Sequence, residues 1–312
     1  MSESRLRNRL SESQKTYAVA EFEVHTRGLT TTISWNELQD WQKDNKYILS
    51  GYRRLQYSWR GCLKSIFAYL HNETVNVHSH LWGGVFFLYL LGTVRTNELT
   101  VYETSWLDST LFALFFFCAM FCHLSSALFH TSISHSQAVC ARCHAYDYAG
   151  IIVLNLGSHY PLLYYGFFCE PSYQKLYILI ITALNLTAAF VVLDPEYAKP
   201  THIHIRTAIF IALGCFSTIA IAHLSLIHGL TVTLKDIGFR WFILSGSIYI
   251  LGALLYANRI PERFSPGTFD YFFASHQIFH GCVVLAAYLH YVFISIALDH
   301  YHSQTACRMP LL

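Results

Sequence analysis

Long stretches without a charged side chain recur along the chain. A helix needs about 20 mostly apolar residues to cross the hydrocarbon core of a bilayer, because backbone N–H and C=O groups find no water there. Runs near this length that lack Asp, Glu, Lys and Arg are 74–94, 109–141, 148–169, 176–193, 207–234, 241–258 and 271–298. The pattern predicts an all-α membrane protein, a bundle of seven transmembrane helices.

The longer runs end in polar residues. We expect the helices to have left the hydrocarbon by 131–137 and by 228–233, where Thr, Ser, His and Gln residues gather. The connections between runs, such as 170–175 and 235–240, are short and leave no room for a folded loop domain.

The sizeable polar region is N-terminal. Residues 1–65 hold 11 of the 21 basic residues and lack the apolar core of a secretory signal. We expect the first 20 residues to be disordered and 63–70 to form a short amphipathic helix at the membrane interface. The predicted organisation is a polar, partly disordered cytoplasmic region (1–65), a seven-transmembrane domain (66–299) and a short tail (300–312).

Basic residues near the membrane indicate the orientation, because short cytoplasmic loops carry an excess of Lys and Arg. Seven crossings place nine such residues on the N-terminal side and five on the opposite side. This predicts a cytoplasmic N-terminus and a non-cytoplasmic C-terminus for an integral, multi-pass protein. The endoplasmic reticulum and the plasma membrane both remain open.

Composition agrees with a membrane protein and excludes other classes. Only 13% of the residues are charged, against about 25% in soluble domains, which argues against a water-soluble enzyme. A net charge of +2 gives no electrostatic reason to expect nucleic acid as a partner. The nine cysteines are scattered and imply no disulfide framework, whereas the 18 histidines are unusually many.

Alternating crossings bring several polar residues to one leaflet. The end of the second span and the starts of the third and seventh lie on the same side of the membrane, whichever way the chain inserts. They carry Ser126 and His130, Asp147, and the pair His276 and His280. A spacing of four residues puts both members of each pair on one helix face.

Three neutral imidazoles from these faces predict a metal site at His130, His276 and His280. Three protein ligands leave one coordination position open, as in catalytic zinc sites. Asp147 and Ser126 would lie beside that position. A carboxylate there can orient the water bound at the open position or accept its proton. Zinc suits the ligands, but copper and nickel also bind imidazole tightly, so ligand type alone does not select the metal.

Other histidines have simpler interpretations. Those inside predicted spans are expected to bond a backbone carbonyl or to line a wet cavity; they are His123, His159, His223 and His290. The His-x-His pairs at 202/204 and 300/302 lie in polar segments and are expected to be solvated.

Four segments carry a family resemblance. They are ETVNVHSH (73–80), SALFHTSISHS (126–136), DYAG (147–150), and a C-terminal run that joins GALLYANRIPERFSPGTFD (252–270) to SHQIFH (275–280). In this order they resemble the progestin and adipoQ receptor (PAQR) family, which includes adiponectin receptors, hemolysin III proteins and fungal membrane proteins linked to zinc homeostasis. The chain looks most like the fungal branch.

The resemblance implies a function. By resemblance the zinc ligands fall on His130, His276 and His280, with Asp147 and Ser126 near them in the cytoplasmic leaflet. It implies hydrolysis of ceramide or a similar lipid amide, a role in zinc and lipid homeostasis, and sensing of an extracellular protein ligand. A non-catalytic receptor with structural zinc and a zinc transporter stay open as alternatives.

Two further segments of the resemblance have local interpretations. Residues 259–267 predict a rigid turn with a salt bridge, and a functional interpretation is that this turn aims His276 and His280 inward. Glu73 and Asn76 would cap or orient the start of the first span.

Overall fold

The computed structural model describes residues 31–97, 99–101, 105–197 and 199–304. A two-stranded antiparallel hairpin and a short helix precede the long helices. The elements are β1 (Thr32–Ile33), β2 (Tyr52–Arg53), α1 (Trp59–Ala68), α2 (Thr74–Asn97), α3 (Trp106–Ser132), α4 (Gln137–Gly166), α5 (Pro171–Val192), α6 (Ile203–His228), α7 (Phe239–Ala257) and α8 (Ser275–Ser303).

The predicted all-α membrane bundle is confirmed. Six of the long helices, α2, α3 and α5 to α8, are long and apolar enough to cross a membrane. The remaining one, α4, has 30 residues and packs among them, but it carries Arg142 and Asp147 in its first half. Large apolar side chains face outward, including Phe190 (83% exposed) and Leu226 (86% exposed). Such a surface suits lipid and not water.

Contacts at the two ends show that the helices alternate in direction. At one end the start of α3, the end of α4 and the end of α8 meet, because Asp108 accepts hydrogen bonds from Tyr165 and His302. At the other end the last turn of α3 meets the starts of α2 and α8, through His130, Glu73 and His276. The predicted gathering of these segments on one side is therefore confirmed.

Helix boundaries agree with the polar ends of the runs. Helix α3 ends at Ser132 and α6 at His228, as expected from 131–137 and 228–233. Helix α4 begins at Gln137, before the charge-free run 148–169, and Asp147 lies ten residues inside it. A charged residue ends a run of apolar sequence but does not end a helix. The amphipathic helix expected at 63–70 is α1, which begins at Trp59.

The His-x-His pairs lie in helices and not in loops, although His204 is exposed as expected. His204 is in the first turn of α6, and α8 continues through His300 and His302. The Nε2 atom of His302 lies 3.3 Å from a carboxylate oxygen of the fully buried Asp108. This buried contact closes the end of the bundle opposite His130.

Two glycines let α3 and α4 approach closely. A Cβ atom on Gly150 would lie 2.9 Å from Cα of Cys122, and one on Gly157 would lie 2.6 Å from Sγ of Cys118. Small residues at helix contacts of membrane proteins allow such backbone approach. The antiparallel contact brings Asp147 on α4 opposite Ser126 on α3. Most of the buried core lies beyond it, toward the end that carries Asp108.

The segment 31–58 covers the end of the bundle that carries His130. The backbone N–H of Leu49 and the hydroxyl of Ser50 donate to Asp270, at 2.9 and 2.6 Å. Asp44 forms a 2.8 Å salt bridge with Arg259 of the turn at 259–267, so the partner of this arginine lies outside the turn. The expected disorder of residues 1–20 lies outside the described residues.

One cysteine is paired, although the scattered cysteines imply no disulfide framework. Cys169, three residues beyond the end of α4, is disulfide-bonded. In the described part of the chain the free cysteines are Cys62, Cys118, Cys122, Cys140, Cys143, Cys215 and Cys282.

Candidate metal centre

Three histidines converge where α3 ends and α8 begins. One ring nitrogen from each of His130, His276 and His280 lies within 4.8 Å of the others. Each pair of rings meets edge to face, with centroids 4.8 Å apart. His130 and His280 are buried and His276 is half-buried. The cluster could hold a metal ion, as the spacing and parity of these residues predict.

The ring of His130 is oriented by Glu73. Its Nδ1 atom donates to Oε2 of Glu73 at 2.7 Å, and Asn76 donates to the same oxygen at 2.7 Å. Burial acts to raise the pKa of the Glu73 carboxyl, but the interactions with His130 and Asn76 outweigh it and hold that pKa below its ordinary value. An ionised Glu73 therefore fixes the proton of His130 on Nδ1.

The opposite nitrogen of His130 is left for a ligand. Its Nε2 atom is buried and has no hydrogen-bond partner within the described residues. A buried polar atom without a partner is costly, and a carboxylate on the far side of the ring is the usual companion of a metal-binding histidine. The donor set therefore fits a metal ion.

His280 has the same arrangement with a backbone partner. Its Nδ1 atom lies 3.2 Å from the carbonyl oxygen of Asn76. A carbonyl only accepts, so Nδ1 carries the proton and Nε2 is free to bind a metal. The ring of His80 stacks on His280, with centroids 3.6 Å apart and planes 8° apart, and limits its rotation.

Buried charged residues hold the two helix ends in place. Arg53, which is 3% exposed, donates to the carbonyl oxygens of His130 and Thr131 at the last turn of α3. Glu262 is fully buried and accepts from both the backbone N–H and the hydroxyl of Ser275, the first residue of α8. The turn at 259–267 thus fixes the direction of α8, which agrees with its functional interpretation.

Asp147 and Ser126 lie beside the cluster and not in it. Both line the same cavity as the three histidines. The carboxyl of Asp147 interacts with the Ser126 hydroxyl. Because the group of mutually close ligand atoms contains only the histidines, Asp147 is placed to act on a molecule bound next to the cluster.

The cavity extends from the cluster into the middle of the bundle. It has a volume of about 780 Å³. Its wall between α6 and α7 includes residues that are exposed on the outer surface of the bundle, namely Gly214, Thr218, Ile243 and Ser247. An apolar chain could therefore enter from the side that faces lipid.

The intramembrane histidines outside the cluster mostly bond carbonyls, as expected. His123 bonds Ala119, His159 bonds Asn155 and His290 bonds Ser158, at 2.6, 2.8 and 3.0 Å. His223 differs, since its Nδ1 atom pairs with the hydroxyl of Tyr177.

Comparison with known proteins identifies the family. The sequence model of the haemolysin-III-related proteins matches residues 68–291, which include all three histidines of the cluster. The chain belongs to the haemolysin-III-related (PAQR) family. The resemblance carried by the four sequence segments is thereby confirmed.

Members of this family from distant organisms align with most of the chain. Progestin and adipoQ receptor-like protein 1 of Caenorhabditis elegans is 37% identical over 84% of this chain and 60% of its own length. The adiponectin receptor protein of Drosophila melanogaster is 34% identical over 89% and 62%. The ADIPOR-like receptor IZH2 of Saccharomyces cerevisiae is 35% identical over 87% and 85%. The chain thus spans about three fifths of the first two relatives and most of the third.

Sequence reasoning missed the residues that orient the cluster of this PAQR-family chain. Glu73 was expected to cap or orient the start of the first span, and the structure shows in addition that it bonds His130. Arg53 was counted as a basic residue at the membrane surface, but it is buried against α3. Glu73 directly precedes the charge-free run 74–94, but a carboxylate also directly precedes the runs that begin at 109, 148 and 271, so this position did not single it out.

Proposed function

We propose that the cluster binds one zinc ion through His130, His276 and His280. The observation that carries this proposal is the unpartnered Nε2 of His130 opposite a nitrogen held by Glu73. Neutral imidazoles oriented by carboxylate or carbonyl partners are typical zinc ligands. The name of the yeast relative, an ADIPOR-like receptor, joins this chain to the family branch for which the sequence resemblance implies a role in zinc and lipid homeostasis.

We further propose that the protein hydrolyses ceramide or a similar lipid amide. When bound, zinc would supply a Lewis acid that polarises a carbonyl and activates water. Asp147 would accept a proton from the attacking water and deliver it to the nitrogen of the leaving amine. Ser126 would orient the Asp147 carboxyl, while the cavity between α6 and α7 would bind the apolar chains and exclude bulk water.

The cytoplasmic side is the proposed location of the site. The excess of basic residues at the N-terminal side supports this orientation. Disulfides persist in oxidising compartments, and Cys169 lies four residues from Tyr165, which contacts Asp108 at the end opposite the cluster. Membrane lipids are then the substrates, and an extracellular protein ligand would act from the far side.

A receptor with structural zinc is the second candidate. The names of the worm and fly relatives, which are receptors, favour it, and so does the geometry, because one ion would tie α3 to α8. A zinc transporter is a weaker candidate, since the described metal-binding cluster lies at one end of the bundle.

Substitution of Asp147 separates the enzyme from the receptor. We expect Asp147→Asn to retain the metal, because Asp147 is outside the ligand cluster, and to lose about 100-fold or more of ceramide hydrolysis, the usual contribution of a proton-transferring group. The measurement is fatty-acid release together with the metal content of purified protein. Asp236→Asn, at the exposed end of the short π-helix Val232–Asp236, is the matched control and should keep the wild-type rate. A metal-loaded wild type that releases no fatty acid would favour the receptor.

A further inference from the structure

A second polar cluster lies in the middle of the bundle, away from the three histidines. Asn155, Ser158 and His159 come from α4, Ser217 from α6 and His290 from α8. His159 and His290 are each 3% exposed and Ser217 is fully buried. Polar side chains at this depth are expensive and usually mark a functional site.

Hydrogen bonds in this cluster determine which nitrogens carry protons. Nε2 of His290 pairs with the carbonyl oxygen of Ser158 at 3.0 Å, and Nδ1 of His159 pairs with that of Asn155 at 2.8 Å. Since carbonyls only accept, both of these nitrogens donate. The neutral ring of His290 therefore presents Nδ1 as an acceptor. Nε2 of His159 is already occupied, because it accepts from the Ser217 hydroxyl.

Asn155 also has a side-chain atom that is free to form a hydrogen bond. Its Oδ1 atom is buried and has no hydrogen-bond partner among the described residues. Asn155 lies three residues before Ser158, the partner of His290, and so on the same face of α4. An amide can turn either its oxygen or its nitrogen toward a ligand. Together, Asn155 and His290 can accept one hydrogen bond from a hydroxyl group and donate another to it.

Asn155 and His290 line the cavity that contains the histidine cluster. His290 follows His280 by ten residues on the continuous helix α8, which corresponds to about 15 Å along the axis. The wall between the two polar regions includes Val283 on α8 and Phe242 on α7. A ligand that reaches both regions must therefore be an apolar chain with a polar group at each end of a gap of this length.

We propose that His290 and Asn155 form a subsite for a hydroxyl group on the chain of a bound lipid. The hydroxyl would donate to Nδ1 of His290 and would accept from the N–H of Asn155, with the side-chain amide turned so that its nitrogen faces the ligand. The assignment of the carboxyl or amide end of the lipid to the histidine cluster rests on the proposed function. Given carbon–carbon bonds of about 1.5 Å in a zigzag, the hydroxyl would lie roughly a dozen carbons from that end.

Positional isomers of one fatty acid test the subsite. Native mass spectrometry of the purified full-length protein would compare binding of octadecanoic acid, 2-hydroxyoctadecanoic acid and 12-hydroxyoctadecanoic acid. We expect the 12-hydroxy isomer to bind about three- to tenfold more tightly than the other two, which is the effect of one or two net hydrogen bonds. His290→Phe and Asn155→Leu should each abolish this preference while octadecanoic acid still binds.

His223→Phe is the matched control, because His223 is also an intramembrane histidine but does not line the cavity. It should keep the wild-type preference. Asn155→Leu tests the subsite even if His290→Phe fails to fold, because it leaves the hydrogen bond between His290 and Ser158 in place. Equal binding of the three acids by the wild type would overturn the proposal, as would an unchanged preference in both variants.

The result is separable from the proposed hydrolysis. If the wild type prefers the 12-hydroxy acid but releases no fatty acid from ceramide, the proposed subsite stands and the proposed amidase activity is refuted. If the wild type hydrolyses ceramide but binds the three acids equally, the proposed activity stands and the proposed subsite is refuted.

Discussion

Glu73 links the first span to the histidine cluster at the scale of a single residue. Its carboxylate receives hydrogen bonds from His130 and from Asn76. With the proton of His130 held on Nδ1, the ring presents a lone pair on Nε2 to the other histidines. Glu73 therefore determines which nitrogen of His130 faces the other two histidines.

Neutralising Glu73 should weaken metal binding. We expect Glu73→Gln to reduce affinity about tenfold or more, because partners of this kind typically contribute ten- to a hundredfold. Metal retained after dialysis against graded chelator concentrations measures the effect. Glu170→Gln is the matched control, since Glu170 pairs with His228 at the other end of the bundle. Equal retention by Glu73→Gln and the wild type would show that Glu73 does not orient His130.

The sequence identified the three histidines but not the residues that orient them. His276 and His280 could be paired because four residues separate them, and His130 could be added because alternating spans put it in the same leaflet. The contact between Glu73 and His130 joins residues 57 positions apart. It depends on the turn between α1 and α2, for which the local pattern contains no signal.

At the scale of elements, the contact between α3 and α4 sets the distance between the histidine cluster and Asp147. Gly150 lies one turn beyond Asp147 and faces Cys122 on α3. Any side chain at this position has to push the two helices apart, because the nearest atoms include backbone. The separation would move Asp147 away from Ser126.

Gly150→Ala should therefore destabilise the bundle. We expect a loss of about 1–3 kcal/mol, the usual result of overpacking, together with reduced ceramide hydrolysis. Thermal unfolding of purified protein measures the first effect. Gly92→Ala is the matched control: a Cβ there meets nothing within 4 Å, so this variant should be neutral or slightly more stable, by up to about 1 kcal/mol. Identical unfolding midpoints for the two variants would refute the close contact.

Helix positions were predicted better than helix ends. Charge-free runs located α2, α3 and α5 to α8 because lipid requires an apolar surface. They did not show where α4 begins, because Arg142 and Asp147 interrupt the apolar sequence of this helix. Helices located only from charge-free runs are therefore cut short wherever the helix itself carries charged residues of a candidate site.

At the scale of the whole molecule, the two ends of the bundle differ in chemistry. One end is closed by Asp108, Tyr165 and His302. The other brings together the histidine cluster, the turn that carries Glu262, and the segment 31–58. Because α3 and α8 each contribute to the cluster, a bound ion would stabilise the assembled bundle relative to its unfolded chain.

The central claim is that this cluster binds zinc. Elemental analysis of detergent-purified wild type and of the double variant His276→Ala/His280→Ala tests it most directly. We predict about one zinc per chain in the wild type, from the three-histidine donor set, and none in the variant. A correctly folded wild type without zinc would contradict the claim and would leave the three histidines as polar packing in a receptor without a metal.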